Sequence, residues 1–144
     1  YFDELKRVSK EQIIWGANYF NCFNGKGGAI IWNKKQPLPD SSQCEIASYS
    51  RLQKVGMYEQ RWTNFVNTKK TNHPTEKPIE LYNWLLKNYA QEGFKILDTH
   101  LGSGSIAVAC HYSGFDLVAS ELDKEYFDAA KKFIKENTRQ TSLF

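Results

Sequence analysis

Several common features are scarce or missing in this 144-residue sequence. Cysteine occurs three times, and these residues form no CxxC pair and are odd in number, so we expect free thiols in a reducing compartment. No apolar run approaches the roughly 18 residues of a membrane-spanning helix, and the first residues have no signal-peptide pattern. No trio of His, Cys or acidic residues has metal-site spacing. These absences favour a cytoplasmic protein without a metal centre.

Charge is distributed unevenly along the chain. Residues 1–72 carry 11 Lys and Arg against 6 Asp and Glu, whereas residues 73–144 carry 8 against 10. The segment 51–72 holds five of these cations and a single acid, Glu59. A polyanion would bind there, and a solvated loop that happens to be basic is the alternative.

The first half of the chain has the signals of short strands. Apolar spacing predicts a helix over residues 1–8. Runs of β-branched and aromatic residues predict strands at 12–18, 28–33 and 44–50. A polar segment follows to residue 72.

The second half alternates strands and helices. We predict a helix that begins at Pro78, strands at 94–98 and 115–121, and a helix at 105–113 between those strands. Asp123 is placed to cap a final helix. This order predicts an α/β fold with a parallel sheet, whose ligand site lies at the carboxyl ends of the strands.

A glycine-rich turn, "DTHLGSGS" at 98–105, lies at that edge. Gly102, Gly104 and Ala107 spell GxGxxA and Glu121 ends the next strand, which satisfies the dinucleotide fingerprint. A pyrophosphate would, however, be repelled by Asp98 just ahead of the turn. S-adenosylmethionine carries an ammonium and a sulfonium and suits that acid better. Both acids also have a structural alternative. Asp98 would then cap the turn, and Glu121 would be a surface carboxylate.

Two motifs in the second half of the chain resemble those of a known family. "HPTEKP" at 73–78, a helix and then "ILDTHLGSGS" resemble the amino-methylating DNA methyltransferases that act on adenine N6 or cytosine N4. The order resembles the permuted, beta-class-like members, in which the cofactor half follows the catalytic half. "VSKEQIIWGANYF" and "IIWNKK" look like bacterial and phage members. The resemblance implies a Rossmann-like S-adenosylmethionine-dependent methyltransferase fold with a mostly parallel sheet, incomplete in this chain.

The resemblance also implies which residues bind the cofactor. Five residues of the glycine turn would meet the methionine end: Asp98, His100, Gly102, Ser103 and Gly104. Three would flank the methionine carboxylate: Thr75, Lys77 and Pro78. Glu121 would accept the ribose hydroxyls. His100 stands where the family more often has Phe, and it adds a titratable group near neutral pH.

Double-stranded DNA is the partner that the resemblance implies, with adenine N6 favoured as the target. The basic segment would contact it through Arg51, Lys54, Arg61, Trp62, Lys69 and Lys70. In this interpretation, residues 1–50 are the second half of the methyltransferase sheet, 51–72 the recognition segment and 73–144 the cofactor portion of one domain. Because the recognition segment is short, we expect a small site or a contribution from a second protomer.

The catalytic signature of the family is missing from this sequence. That signature is an Asp, Asn or Ser followed by two prolines and an aromatic residue, and neither "QPLPD" nor "GANYF" matches it. We therefore expect no catalytic residue here and no activity from this chain alone. Either it is the C-terminal portion of a longer bacterial or phage enzyme, or a partner chain supplies the missing strand. Two further alternatives are a non-catalytic DNA or protein interaction module and an NAD-binding oxidoreductase fragment.

Overall fold

The structure is a computed structural model that describes residues 1–35, 42–51, 53–61 and 75–139. The chain forms two compact units, Tyr1–Thr63 and Asn64–Phe144. Within the described ranges, no helix is both long enough and apolar enough to cross a membrane.

The first unit is built on a mixed four-stranded sheet. Its elements are helix α1 (Phe2–Val8), strand β1 (Ile13–Trp15), helix α2 (Ala17–Phe20) and strands β2 (Ala29–Asn33), β3 (Cys44–Tyr49) and β4 (Val55–Glu59). The strand order is β1-β3-β2-β4. β3 runs antiparallel to β1 and β2, whereas β4 is parallel to β2. The carboxyl ends of β1, β2 and β4 therefore lie at one edge of the sheet.

Two predictions for this unit need correction. The strand predicted at 12–18 ends at Trp15, because Gly16 has a left-handed φ of 72° and begins the one-turn helix α2. The polar segment, in which no strand was predicted, contains β4. Val55 and Met57 of β4 are exposed, so the strand depends on backbone pairing with β2 and leaves little apolar signal in the sequence.

The second unit has the alternating order predicted for it. It comprises helix α3 (Ile79–Tyr89), strand β5 (Lys95–Asp98), helix α4 (Ser105–Ser113), strand β6 (Asp116–Ala119) and helix α5 (Lys124–Asn137). β5 and β6 pair in parallel, with Asp98 opposite Ala119. The predicted cap of α5 is confirmed, because the Asp123 carboxylate accepts two backbone N–H groups of the first turn. The predicted parallel pair is therefore correct.

The two faces of the β5–β6 pair differ in burial. Ile96 and Leu117 pack against a core of Leu86, Ala109 and Cys110. On the opposite face Leu97 is 44% exposed, and Val118, its partner in register, is 69% exposed. Parallel strands are normally covered on both faces, so the exposure of two apolar side chains on this face is unusual.

Candidate functional site

The turns that follow β5 and β6 are joined to each other by backbone hydrogen bonds. The Ser120 N–H donates to the Asp98 carbonyl at 2.9 Å, and the Leu101 N–H donates to the Ser120 carbonyl at 2.9 Å. The Ser120 hydroxyl also donates to the Thr99 carbonyl at 3.1 Å. The two turns therefore form one framework at the carboxyl edge of the parallel pair. Ser120 is absent from the predicted site because sequence spacing does not reveal hydrogen bonds between loops.

Asp98 ends β5 as a partly buried carboxylate beside the glycine turn. Burial raises the pKa of Asp98. A hydrogen bond from the His100 backbone N–H at 3.0 Å, together with the charges of His100 and Lys77, opposes that rise in the pKa. Desolvation thus destabilises the ionised form. A cation bound beside this carboxylate would restore much of the lost solvation.

The carboxylate of Glu121 reaches back to the glycine turn. One oxygen accepts the Gly102 N–H at 2.9 Å, and the other accepts the Asp123 N–H at 3.0 Å. The turn therefore already holds an anion supplied by the protein itself. Glu121 and Asp98 thus place two acidic groups beside the glycine turn.

The end of the turn packs directly against α5. Gly104 has a φ of 85°, and a Cβ built on it would lie 3.0 Å from Ile134 Cγ1. Only glycine fits this conformation without strain or displacement of α5. Next to it, the hydroxyls of Ser103 and Ser105 are buried and lie 3.0 Å apart. The turn is therefore closely packed.

The structure brings together most of the residues predicted to bind the cofactor. Those of the turn share one edge with Glu121, and Lys77 lies near enough for its charge to lower the pKa of Asp98. Pro78 is the N-cap of α3. Thr75 is exposed and precedes Lys77 by two residues. Their roles towards a ligand stay predictions.

The three described residues that were predicted to bind DNA do not form one patch. Lys54 directly precedes β4 and Arg61 lies two residues after its end, so the strand separates them by roughly 20 Å at about 3.3 Å per residue. Arg51 forms an ion pair with Glu11 at 3.3 Å. Of these three residues, Arg61 alone lies at the carboxyl edge. Trp62, Lys69 and Lys70 lie outside the described residues.

The DNA methylase family of N6 and N4 methyltransferases matches residues 7–132 of this chain. The chain belongs to this family. Among curated relatives, the type II methyltransferase M.HpaI of Haemophilus parainfluenzae is 29% identical over 76 residues, or 53% of this chain and 24% of that protein. M2.DpnII of Streptococcus pneumoniae is 29% identical over 111 residues, or 72% of this chain and 40% of that protein. The chain thus spans well under half the length of these relatives.

Solved structures of other proteins share the fold. The crystal structure of the M1.HpyAVI–SAM complex matches with a TM-score of 0.61 and 24% identity, over 74% of this chain and 60% of that one. TTHA0409 of Thermus thermophilus, a putative DNA modification methylase, matches with a TM-score of 0.52 and 21% identity, over 76% of this chain and 53% of that one. The expected α/β, Rossmann-like methyltransferase fold is confirmed. The sheet of the first unit is mixed because β3 runs against its neighbours.

Proposed function

We propose that this chain is the cofactor-binding and DNA-contacting portion of a DNA methyltransferase. The complete enzyme transfers a methyl group from S-adenosylmethionine to an exocyclic amine of DNA. Adenine N6 is favoured over cytosine N4 as the acceptor. Family membership supports the reaction class, and the carboxylates at the glycine turn of the second unit support the choice of cofactor.

The observation that carries the proposal is the pair of carboxylates at the glycine turn. A dinucleotide site needs free backbone N–H groups for its pyrophosphate. Here the Gly102 N–H is bonded to Glu121, and Asp98 adds a second acid beside the turn. Phosphate would meet repulsion from both carboxylates. This arrangement disfavours the NAD-binding alternative and suits a ligand that is cationic at this end.

The residues present fit S-adenosylmethionine by charge and by hydrogen-bonding capacity. Asp98 would hold the methionine ammonium, and Lys77 would face the methionine carboxylate. Glu121 would accept the ribose hydroxyls, because each carboxylate oxygen can accept more than one hydrogen bond. His100, Ser103 and Gly104 would line the methionine end. When bound, the cofactor supplies an activated methyl group.

Methyl transfer also requires an aligned target amine and a base outside the duplex. This sequence lacks the family signature that accepts the amine's hydrogen bonds. We therefore expect cofactor binding without turnover from this chain alone.

A segment outside this chain would also complete the sheet. Among the described strands, β5 pairs with β6 alone. Leu97 and Val118 are exposed side by side on one face of that pair. A further strand and its covering helices would bury both residues. This supports completion by another part of a longer enzyme or, alternatively, by a second protomer.

Cofactor binding is tested by calorimetric titration with S-adenosylhomocysteine and, separately, with NADH. We expect the first ligand alone to bind. Asp98→Ala is expected to weaken binding about 10- to 150-fold, because a hydrogen bond to a charged group contributes roughly 1.5–3 kcal/mol. Asp116→Ala is the matched control, since Asp116 is exposed at the opposite end of the same strand pair.

Three outcomes would contradict the assignment. Binding of NADH alone would support the oxidoreductase alternative. Equal losses in the Asp98 and Asp116 variants would remove the specific role of Asp98. A folded chain that binds DNA but neither cofactor would support a non-catalytic interaction module.

DNA contact is tested by the salt dependence of duplex binding. Ligands of α/β sheets bind at the carboxyl ends of the strands, so we expect Arg61→Gln to reduce the slope of log K against log salt by about 1. Lys54→Gln, at the opposite end of β4, is the control and is expected to leave the slope unchanged. A larger effect of Lys54→Gln would place the DNA at the other edge.

A further inference from the structure

The carboxyl edge of the first unit carries an exposed aromatic pair that the proposed function has not used. Tyr19 is 74% exposed and Phe20 is 63% exposed, both on α2. α2 follows β1, and the Tyr19 hydroxyl lies 3.5 Å from that of Ser42, just before β3. The pair therefore lies at the edge where β1, β2 and β4 end.

The backbone around α2 places these rings. Gly16 and Asn21 bound the single turn, and both adopt left-handed conformations. A Cβ at Gly16 would lie 3.3 Å from the Phe20 ring and 3.6 Å from the Tyr19 ring. Both rings therefore lie against the glycine backbone. The Phe2 ring packs near the Phe20 ring at a centroid distance of 6.1 Å. Tyr19 is therefore the more exposed of the two rings on α2.

The size of this surface favours a small planar partner. An aromatic side chain buries about 150–250 Å², so Tyr19 and Phe20 together offer at most roughly 300–500 Å². A standard protein interface buries about 800 Å² on each side. The aromatic pair is thus too small to form the interface with a second copy of this chain. A nucleobase, in contrast, needs only one ring face on which to stack.

Charge at the same edge favours a nucleic acid. Lys34 and Lys35 follow β2, but each is matched by an acid, Glu45 and Glu59 respectively. No acid pairs with Arg61 in the part of the chain that the structure describes. Four strands spaced by about 4.8 Å span roughly 14 Å. The edge thus offers a cation within a few nucleotides of the aromatic pair.

We propose that Tyr19, with Phe20 behind it, is a stacking surface for an unpaired DNA base at the carboxyl edge of the first unit. The proposal rests on the proposed DNA-contacting function. It adds a base contact from α2 to the phosphate contact proposed for Arg61.

The test uses a short single-stranded oligonucleotide with one 2-aminopurine, whose fluorescence falls when it stacks on an aromatic ring. We expect quenching on saturation with the wild-type chain. Tyr19→Leu should abolish the quenching and weaken binding roughly 5- to 150-fold, the range that base–aromatic stacking supplies. Tyr19→Phe should retain both. Tyr112→Leu is the matched control, because Tyr112 is 67% exposed on α4 in the other unit.

Unchanged quenching and affinity in Tyr19→Leu would overturn the proposal. If binding remains salt-dependent and sensitive to Arg61→Gln, the proposed function survives that result. Absence of DNA binding by a chain that binds S-adenosylhomocysteine would overturn the DNA role and this inference together. Self-association that Tyr19→Leu abolishes in sedimentation experiments would assign the aromatic pair to a second copy and overturn the proposal.

Discussion

Replacement of Gly104 by alanine tests whether the glycine turn is held by both its backbone conformation and its contact with α5. Gly104 has a φ of 85° and is the N-cap of α4. An added Cβ would lie 3.0 Å from Ile134 Cγ1, 3.1 Å from Ile134 Cδ1 and 3.4 Å from Ala130 Cβ. The substitution therefore adds two separate costs.

The two costs have different magnitudes. A non-glycine residue in the left-handed region costs roughly 1–2 kcal/mol, and overpacking typically costs about 1–3 kcal/mol. We expect Gly104→Ala to lower the free energy of unfolding by roughly 2–5 kcal/mol. Gly93→Ala isolates the first cost, because Gly93 has a φ of 81° and no heavy atom within 4 Å of an added Cβ. It should cost only about 1–2 kcal/mol.

The assay is urea unfolding followed by far-UV circular dichroism. Helices α3, α4 and α5 dominate that signal and all belong to the second unit. Ile134→Val shortens the opposing side chain and alone should cost about 0.5–1.5 kcal/mol. In the Gly104→Ala background it should cost less or even stabilise, because the two residues are in contact and their effects are not additive.

Two results would refute this reasoning. If Gly104→Ala costs no more than Gly93→Ala, the turn does not pack tightly on α5. If Ile134→Val costs the same in both backgrounds, the predicted clash does not involve Ile134 Cδ1, the atom that this substitution removes.

Three further predictions concern single groups. Burial raises the pKa of Asp98, so its protonated form stabilises the fold below the ordinary Asp pKa, and that stability is lost as the pH rises through the raised value. Asp98→Asn should therefore raise the urea midpoint near neutral pH. A lower midpoint would contradict this. Asp123→Ala should cost about 1 kcal/mol in the same unfolding assay, because it removes the acceptor for two N–H groups of α5; an unchanged midpoint would count against the cap. Burial raises the pKa of Cys110 to about 11, so a thiol reagent should modify the part-exposed Cys22 and Cys44 in the folded chain and Cys110 only after unfolding; rapid reaction of all three would contradict the packing of α4.

The sequence determined the features whose causes lie within a few neighbouring residues. The helix cap at Asp123 depends on a side chain and the backbone of the next turn. The glycine turn after β5 follows from glycine's access to left-handed conformations. The parallel β5–β6 pair follows from the strand–helix–strand order. For these reasons the position of the glycine turn and of Asp98 at the carboxyl edge of β5 was predictable.

Only the tertiary structure decided which groups meet across the chain. No spacing indicates that Glu121 binds the Gly102 N–H, that β3 lies antiparallel between β1 and β2, or that β4 separates Lys54 from Arg61. These arrangements depend on strand pairing and packing between segments remote in sequence, and those free energies leave little trace in local composition. The exposed Tyr19 is a further example. Its ring could not be assigned to the carboxyl edge until the strand order was known.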